Sequence, residues 1–205
     1  MTAYQLDYSA IIQPIDGETD CGDQYLVKKL SNATLIAVAD GLGHGKSAAL
    51  AANKAMDVLR TSRQESLVSL MQECHAALQH TRGVVMILIH LSDNKISWLG
   101  VGNVLGLHWT LDNLEPQTRL LHSLPGVAGM NLPHLKVASF NIKERDILII
   151  VTDGISDKCI SLTPMPYALP KTIAEKIFAD YQRKIDDALV FVGRWSTINT
   201  ELNHE

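Results

Sequence analysis

The residues of this chain best placed to do chemistry are acids that stand at the ends of apolar runs. Asp23 follows Gly22 at the start of an expected strand. Asp40 closes the run Leu35–Ala39 (LIAVA) and opens a glycine-rich loop, Gly41-Leu42-Gly43-His44-Gly45. Asp153 follows Ile147–Thr152 and precedes Gly154, and Asp186-Asp187 stands directly before the apolar run Ala188–Val192. An Asp-Gly at a strand end is, taken singly, the chemistry of a turn. Strand ends are also rigid platforms, and carboxylates converging on them would repel one another. At about 4 Å and an effective dielectric near 20, each like-charge contact costs roughly 4 kcal/mol. No Arg occurs before Arg60, and the Lys residues up to the position just after the glycine-rich loop are only Lys28, Lys29 and Lys46. A hard divalent cation would relieve the repulsion, because Mg²⁺ and Mn²⁺ select carboxylate, carbonyl and water oxygens. Gly41 suits such a site, since a bare backbone can bring its carbonyl close to an ion.

Positioning these acids calls for an α+β domain. Tyr8–Gln13, Gln24–Leu30 and Leu35–Ala39 read as strands. Lys46–Arg60 carries Ala48, Ala52, Ala55 and Leu59 at helical spacing, a small-residue stripe suited to close packing on a sheet. Leu67, Leu70, Met71, Cys74 and Leu78 mark a second helix over Glu65–Gln79. Val84–Leu91, Ile96–Gly100 and Val104–Trp109 read as strands joined by hairpin turns at Ser92–Lys95 and at Gly102-Asn103. Leu135–Phe140 and Ile147–Thr152 add two more strands around the polar turn Lys143–Asp146. Lys171–Gln182 is a helix behind Pro170, and Ala188–Val192 is a last strand. The polar tail Ser196–Glu205 is expected to fray. Strands joined by tight turns are antiparallel, so a doubly wound parallel sheet is excluded.

Composition narrows the function classes. The chain has 205 residues with 46% hydrophobic and 20% charged, ordinary values for one globular domain spanning 1–205. Lys+Arg is 18 against Asp+Glu 22, a net charge of −4, which offers no footprint for nucleic acid or an anionic membrane. The 3 cysteines, Cys21, Cys74 and Cys159, are odd in number and far apart, so neither a disulfide framework nor a zinc ribbon is expected. The first twenty residues lack Lys and Arg and have no apolar run of signal-peptide type, and no stretch approaches the ~20 apolar residues of a membrane span. A soluble, cytoplasmic protein is expected.

The ordered set Gly22-Asp23, Val38-Ala39-Asp40-Gly41-Leu42-Gly43-His44-Gly45, Val151-Thr152-Asp153-Gly154 and Asp186-Asp187 resembles the metal-dependent serine/threonine protein phosphatases of type 2C, in their bacterial SpoIIE-like branch. The resemblance runs from about Ser9 to Gly193. It implies an αββα sandwich of two antiparallel sheets flanked by helices, with the site at one edge. It implies two Mn²⁺ or Mg²⁺ ions: Asp40 bridging both, Gly41 giving its carbonyl, Asp153 and Asp186 on the first ion, and Asp23 reaching the second, often through water. The substrate implied is a phosphoserine or phosphothreonine on a regulatory partner, a STAS-domain component of a stressosome or partner-switching pathway, dephosphorylated by a monomer. The sequence departs from the eukaryotic branch at Leu42, where that branch has a general-acid His. His44 is the candidate for that role here, with a local loop hydrogen bond as its plainer reading. The upstream phosphate-clamping Arg is also missing. Leu124–Leu132 is either a flap over the site or a plain connection.

Two other readings compete. Gly45-Lys46-Ser47 after a strand and before a helix suggests a P-loop nucleotide binder, but that motif requires Gly at position 40, where an acid would oppose a phosphate. The other is a binding module of the same fold with a decayed metal site.

Overall fold

The computed structural model describes residues 3–92, 94–112, 115–163, 165 and 167–198. In chain order the elements are β1 (Ala3–Gln13), β2 (Asp23–Lys29), β3 (Thr34–Gly41), α1 (Lys46–Thr61), α2 (Leu67–Leu78), β4 (Val84–Ser92), β5 (Lys95–Val101), β6 (Leu105–Asp112), β7 (Glu115–Leu121), β8 (Ala138–Asn141), β9 (Ile147–Val151), a 3-10 turn (Asp157–Ser161), α3 (Pro170–Tyr181) and β10 (Ala188–Ile198). They form two five-stranded sheets, β1-β10-β9-β6-β7 and β2-β3-β4-β5-β8. Every strand pairing is antiparallel.

Three apolar layers hold this stack together, and the period-2 alternation of the strands feeds them. In β3, Leu35, Ala37 and Ala39 face the helices α1 and α2, while Ile36 and Val38 face the other sheet. In β9, Leu148 and Ile150 enter the same inter-sheet layer, while Ile147, Ile149 and Val151 meet α3. Both faces of the central strands are therefore buried, which is why they read as unbroken apolar runs. The alanines of α1 let that helix lie close on β2 and β3, and Pro170 opens α3 at its first turn. The layer order is the expected αββα sandwich. Among the described residues no helix is long and apolar enough to cross a membrane.

The structure corrects several expected elements. The Gly102-Asn103 turn does not make a hairpin: β5 belongs to one sheet and β6 to the other, so the chain changes layers there. β7 was not foreseen. Its residues are mostly exposed and it carries Pro116, which an edge strand tolerates. The expected strand Leu135–Phe140 is shifted to β8, which pairs only with β5. Residues 196–198 do not fray but continue β10, opposite Ala3–Gln5 of β1; the remainder of the tail, 199–205, lies outside the described residues. Asp93 of the expected β4–β5 turn also lies outside them, although the hairpin itself forms.

Candidate metal centre

The ends of β2, β3, β9 and β10 meet at one edge of the sandwich and bring the acids with them. Asp23 and Asp40 are directly opposed across the β2–β3 pair. Asp153 lies two residues beyond the end of β9, and Asp186-Asp187 lies immediately before β10, its pairing partner. Asp40, Asp153 and Asp186 are half-buried, whereas Asp23 and Asp187 are buried. Burial and the mutual repulsion of these acids push the Asp23 and Asp40 carboxyls far above the ordinary value of 3.8, to about 8 and about 9, in the metal-free protein. Asp186 moves in the same direction for the same two reasons.

Hydrogen bonds separate the acids into roles. Asp187 accepts from the backbone N–H of Ile15 at 2.8 Å and of Gly22 at 2.6 Å, one on each carboxylate oxygen. It fixes the segment before β2 to the start of β10 and is committed to structure. Asp186 has one oxygen engaged by the N–H of Asp187 at 2.9 Å and is otherwise open to the edge. Asp23 accepts from Thr152 Oγ1 at 2.6 Å, and that hydroxyl accepts from the N–H of Leu189 at 2.8 Å. Asn103 Nδ2 donates to Asp153 Oδ2 at 3.1 Å.

The glycines allow close approach. A Cβ on Gly41 would stand 2.2 Å from the carbonyl oxygen of Ala48 in α1, and one on Gly154 would stand 2.0 Å from that of Asp187. Gly41 is thus required by helix packing as well as by any carbonyl ligation. The loop beyond it is held by Gly41 N–H to Gly22 O at 3.0 Å and Leu42 N–H to Gly83 O at 3.2 Å. His44 is exposed and its Nδ1 lies 3.2 Å from Glu18 Oε1, the local loop contact anticipated for it. Lys46 is exposed at the start of α1. Leu124–Leu132 forms bridges to β4 and β5, with Ala128 N–H on Val84 O at 2.9 Å, as a packed connection.

Sequence reasoning missed Asn103, Thr152, Arg82 and Arg183. The Arg82 guanidinium reaches the carbonyl of Leu42 at 3.5 Å, and that of Arg183 reaches the carbonyl of Asp153 at 3.4 Å. Each lies far along the chain from the group it contacts, so spacing carries no signal for it.

The donor set suits a hard cation: carboxylates and a backbone carbonyl, without thiolate or imidazole. Among the described residues no three His, Cys, Asp or Glu side chains close around one point. The Cys21 thiol near this edge is pushed up to about 12, chiefly by burial, which makes it inert.

Two expected results follow from this geometry. Folded-state carboxyl values above 3.8 favour the protonated fold, so their contribution to stability is full below about pH 4. It is lost as pH rises through about 8 and about 9. The metal-free protein therefore melts lower at pH 8 than at pH 6, and Mg²⁺ raises the melting temperature more at pH 8; a pH-independent Mg²⁺ effect in calorimetry would contradict this. Thr152→Val strands the buried N–H of Leu189 and removes the donor to Asp23, at a cost of about 2 kcal/mol, or roughly 4–8 °C in melting temperature. An unchanged melting curve would remove Thr152 from the network.

Two face-to-face antiparallel sheets between helices, with carboxylates gathered at one edge, define the fold of the type 2C protein phosphatases. Within that class the chain belongs to the SpoIIE family: the family described as stage II sporulation protein E matches residues 31–192. That span contains Asp40, Gly41, Asp153 and Asp186, and Asp23 precedes it. The phosphoserine phosphatase RsbX of Bacillus subtilis (strain 168) is 29% identical over 146 residues, 69% of this chain and 70% of that one. A chain solved in work on the bacterial stressosome as a modular system adapted to control secondary messenger signalling is 30% identical, with TM-score 0.82 over 93% of this chain and 100% of that one. RsbX in complex with magnesium superposes with TM-score 0.79 at 19% identity, over 96% of this chain and 100% of that one.

Proposed function

We propose that this edge hydrolyses phosphoserine or phosphothreonine on a regulatory partner protein, with two Mn²⁺ or Mg²⁺ ions held by Asp23, Asp40, the Gly41 carbonyl, Asp153 and Asp186. The carrying observation is the convergence of carboxylates from four strand ends, where burial first, and the neighbouring acids second, make Asp23 and Asp40 hold protons far above their ordinary range when no cation is present. When bound, such ions supply a water of lowered pKa and neutralise charge on the phosphate. The chain's own part is positioning. Asp40 faces Asp23 across a strand pair, and Thr152 and Asn103 orient the carboxylates of Asp23 and Asp153. Asp187 locks the β2 and β10 ends together. His44, oriented by Glu18, is the candidate to return a proton to the leaving serine oxygen.

The partner fits a phosphorylated STAS-domain component of a stressosome pathway, acted on in the cytoplasm by a monomer. The likeness to RsbX and to the stressosome-associated chain supports that reading, and the net charge of −4 favours a protein partner over nucleic acid. The P-loop alternative loses its footing because every strand pairing is antiparallel, whereas a nucleotide-binding loop of that kind serves a parallel sheet. The decayed-site alternative has no physical reason to keep so much clustered charge. The test is phosphate release from a phosphoserine peptide with and without Mn²⁺. Release dependent on Mn²⁺ and abolished by EDTA is expected; a rate indifferent to EDTA would overturn the reading.

A further inference from the structure

A second polar site lies at the far end of β9. Asp146 and Asp153 bracket that strand, so a cavity lined by Asp146 sits at the opposite pole of the sheet from the acid cluster. Here the inter-sheet layer stops being apolar. The β6–β7 pairing sets Gly106 opposite Leu121, His108 opposite Arg119 and Thr110 opposite Gln117, and opposed residues share a face. Leu121 still belongs to the inter-sheet core, but the next two pairs along the same face are polar. They look across to Phe140 of β8, the edge strand of the other sheet. Together they line a cavity of about 320 Å³ that opens to solvent past the exposed Gln117 and Arg119, at the lower end of small-molecule sites at roughly 300–1,000 Å³.

The walls are built rather than incidental. His108 and Asp146 are 5% exposed each, and His108 Nε2 lies 2.7 Å from Asp146 Oδ2, which also accepts from the N–H of Lys143 at 2.8 Å. The His108 ring is 4.8 Å from the Phe140 ring, and the Arg119 guanidinium lies over that ring at 4.4 Å. Among the described residues two polar atoms here, His108 Nδ1 and Thr110 Oγ1, are shielded from solvent and have no hydrogen-bond partner. Unpaired polar atoms are unfavourable in an apolar layer, so the pattern favours a polar occupant over a packing fault. Arg119 presents a cation to the cavity, and the carboxylate of Asp146 is already engaged by His108 and the Lys143 backbone. Arg119 has no carboxylate partner among the described residues, and a guanidinium resting over an aromatic ring still has N–H donors for a planar or tetrahedral anion.

The geometry points to a binding site for a small phosphate- or carboxylate-bearing anion between the β7 and β8 edges, separate from the phosphatase centre. Arg119 supplies the fork to the anion, and Thr110 and Gln117 bond its remaining oxygens. This site does not depend on the catalytic reading.

The test is an amide chemical-shift titration of the full chain, stripped of metal and held in chelator-free buffer, which keeps the acid edge from recruiting phosphate through a metal. The probes are inorganic phosphate, adenosine monophosphate and citrate, in separate arms. Saturable shifts at Gln117, Thr118, Arg119 and Asn141 in at least one arm are expected. A response to phosphate alone assigns a free oxyanion, a stronger response to the nucleotide an organic phosphate, and a response to citrate alone a carboxylate. Arg119→Gln weakens that binding at least fivefold, while hydrolysis of p-nitrophenyl phosphate with Mn²⁺ stays within twofold of wild type. Arg119→Lys, which keeps the charge but loses the fork, falls between the two. No saturable shift in any arm, or equal affinity in Arg119→Gln, would overturn the proposal.

Discussion

Asp40→Asn is expected to lower metal-dependent phosphate release by about a thousandfold or more while making the metal-free protein more stable. The two effects have one cause. Asp40 is opposed by Asp23 across the β2–β3 pair and feels Asp153, Asp186 and Asp187 as further repulsion. An amide keeps the shape and discards the charge. A thousandfold loss corresponds to about 4 kcal/mol of transition-state stabilisation, the scale on which an electrostatic element of a phosphoryl-transfer site acts. In stability the sign reverses. The wild-type fold must keep Asp40 protonated at pH values where the unfolded chain ionises it, and Asn removes that cost. We expect a gain of about 1–3 kcal/mol at pH 8, or roughly 2–12 °C in melting temperature. A variant that loses activity and is also destabilised would show Asp40 to be a structural residue. Retained activity would remove it from the chemistry.

Gly41→Ala is expected to produce a large loss of stability from a single methyl group. The added Cβ would stand 2.2 Å from the carbonyl oxygen of Ala48 and 2.8 Å from its carbonyl carbon. Those are helix backbone atoms that cannot swing aside as the tip of a side chain would. The relief available is to push α1 away from β3, which opens the layer where Ala51 and Ala55 meet Ala37 and Ala39. Overpacking of this kind costs about 3 kcal/mol, which is roughly 6–12 °C for a chain of this length. Urea and thermal denaturation read it out. A melting temperature within 2 °C of wild type would mean that the helix start is looser than the structure shows.

The acid cluster was legible because each member closes or opens an apolar run, and a run buried on both faces announces itself without a partner. What the sequence did not carry is pairing. That Asp23 stands directly opposite Asp40 is a matter of register, set by which faces of β2 and β3 are buried. Gly102-Asn103 has the composition of a hairpin turn, yet burial between the layers sends β5 to β8 and β6 to β9, and the turn becomes the crossing that delivers Asn103 to Asp153. β7 was invisible because an edge strand facing solvent needs neither alternation nor β-branched residues, and its sequence EPQTRLL has little of either. His108 looked like one more position in the strand Val104–Trp109. Only the sheet-to-sheet geometry shows that its face of β6 changes from apolar filling to a polar wall. Asp187 is the reverse case: adjacent to Asp186 and identical to it, the two are told apart by the backbone N–H groups of Ile15 and Gly22, which engage Asp187 alone.

The most direct test of the central claim is a calorimetric titration of the metal-free chain with Mn²⁺ at pH 7.5, run beside Asp40→Asn. The account predicts saturable binding of about two ions per chain by wild type, with protons released as the ions displace them from Asp23 and Asp40, and loss of at least one ion in the variant. No saturable Mn²⁺ binding, or an identical isotherm for Asp40→Asn, would contradict it.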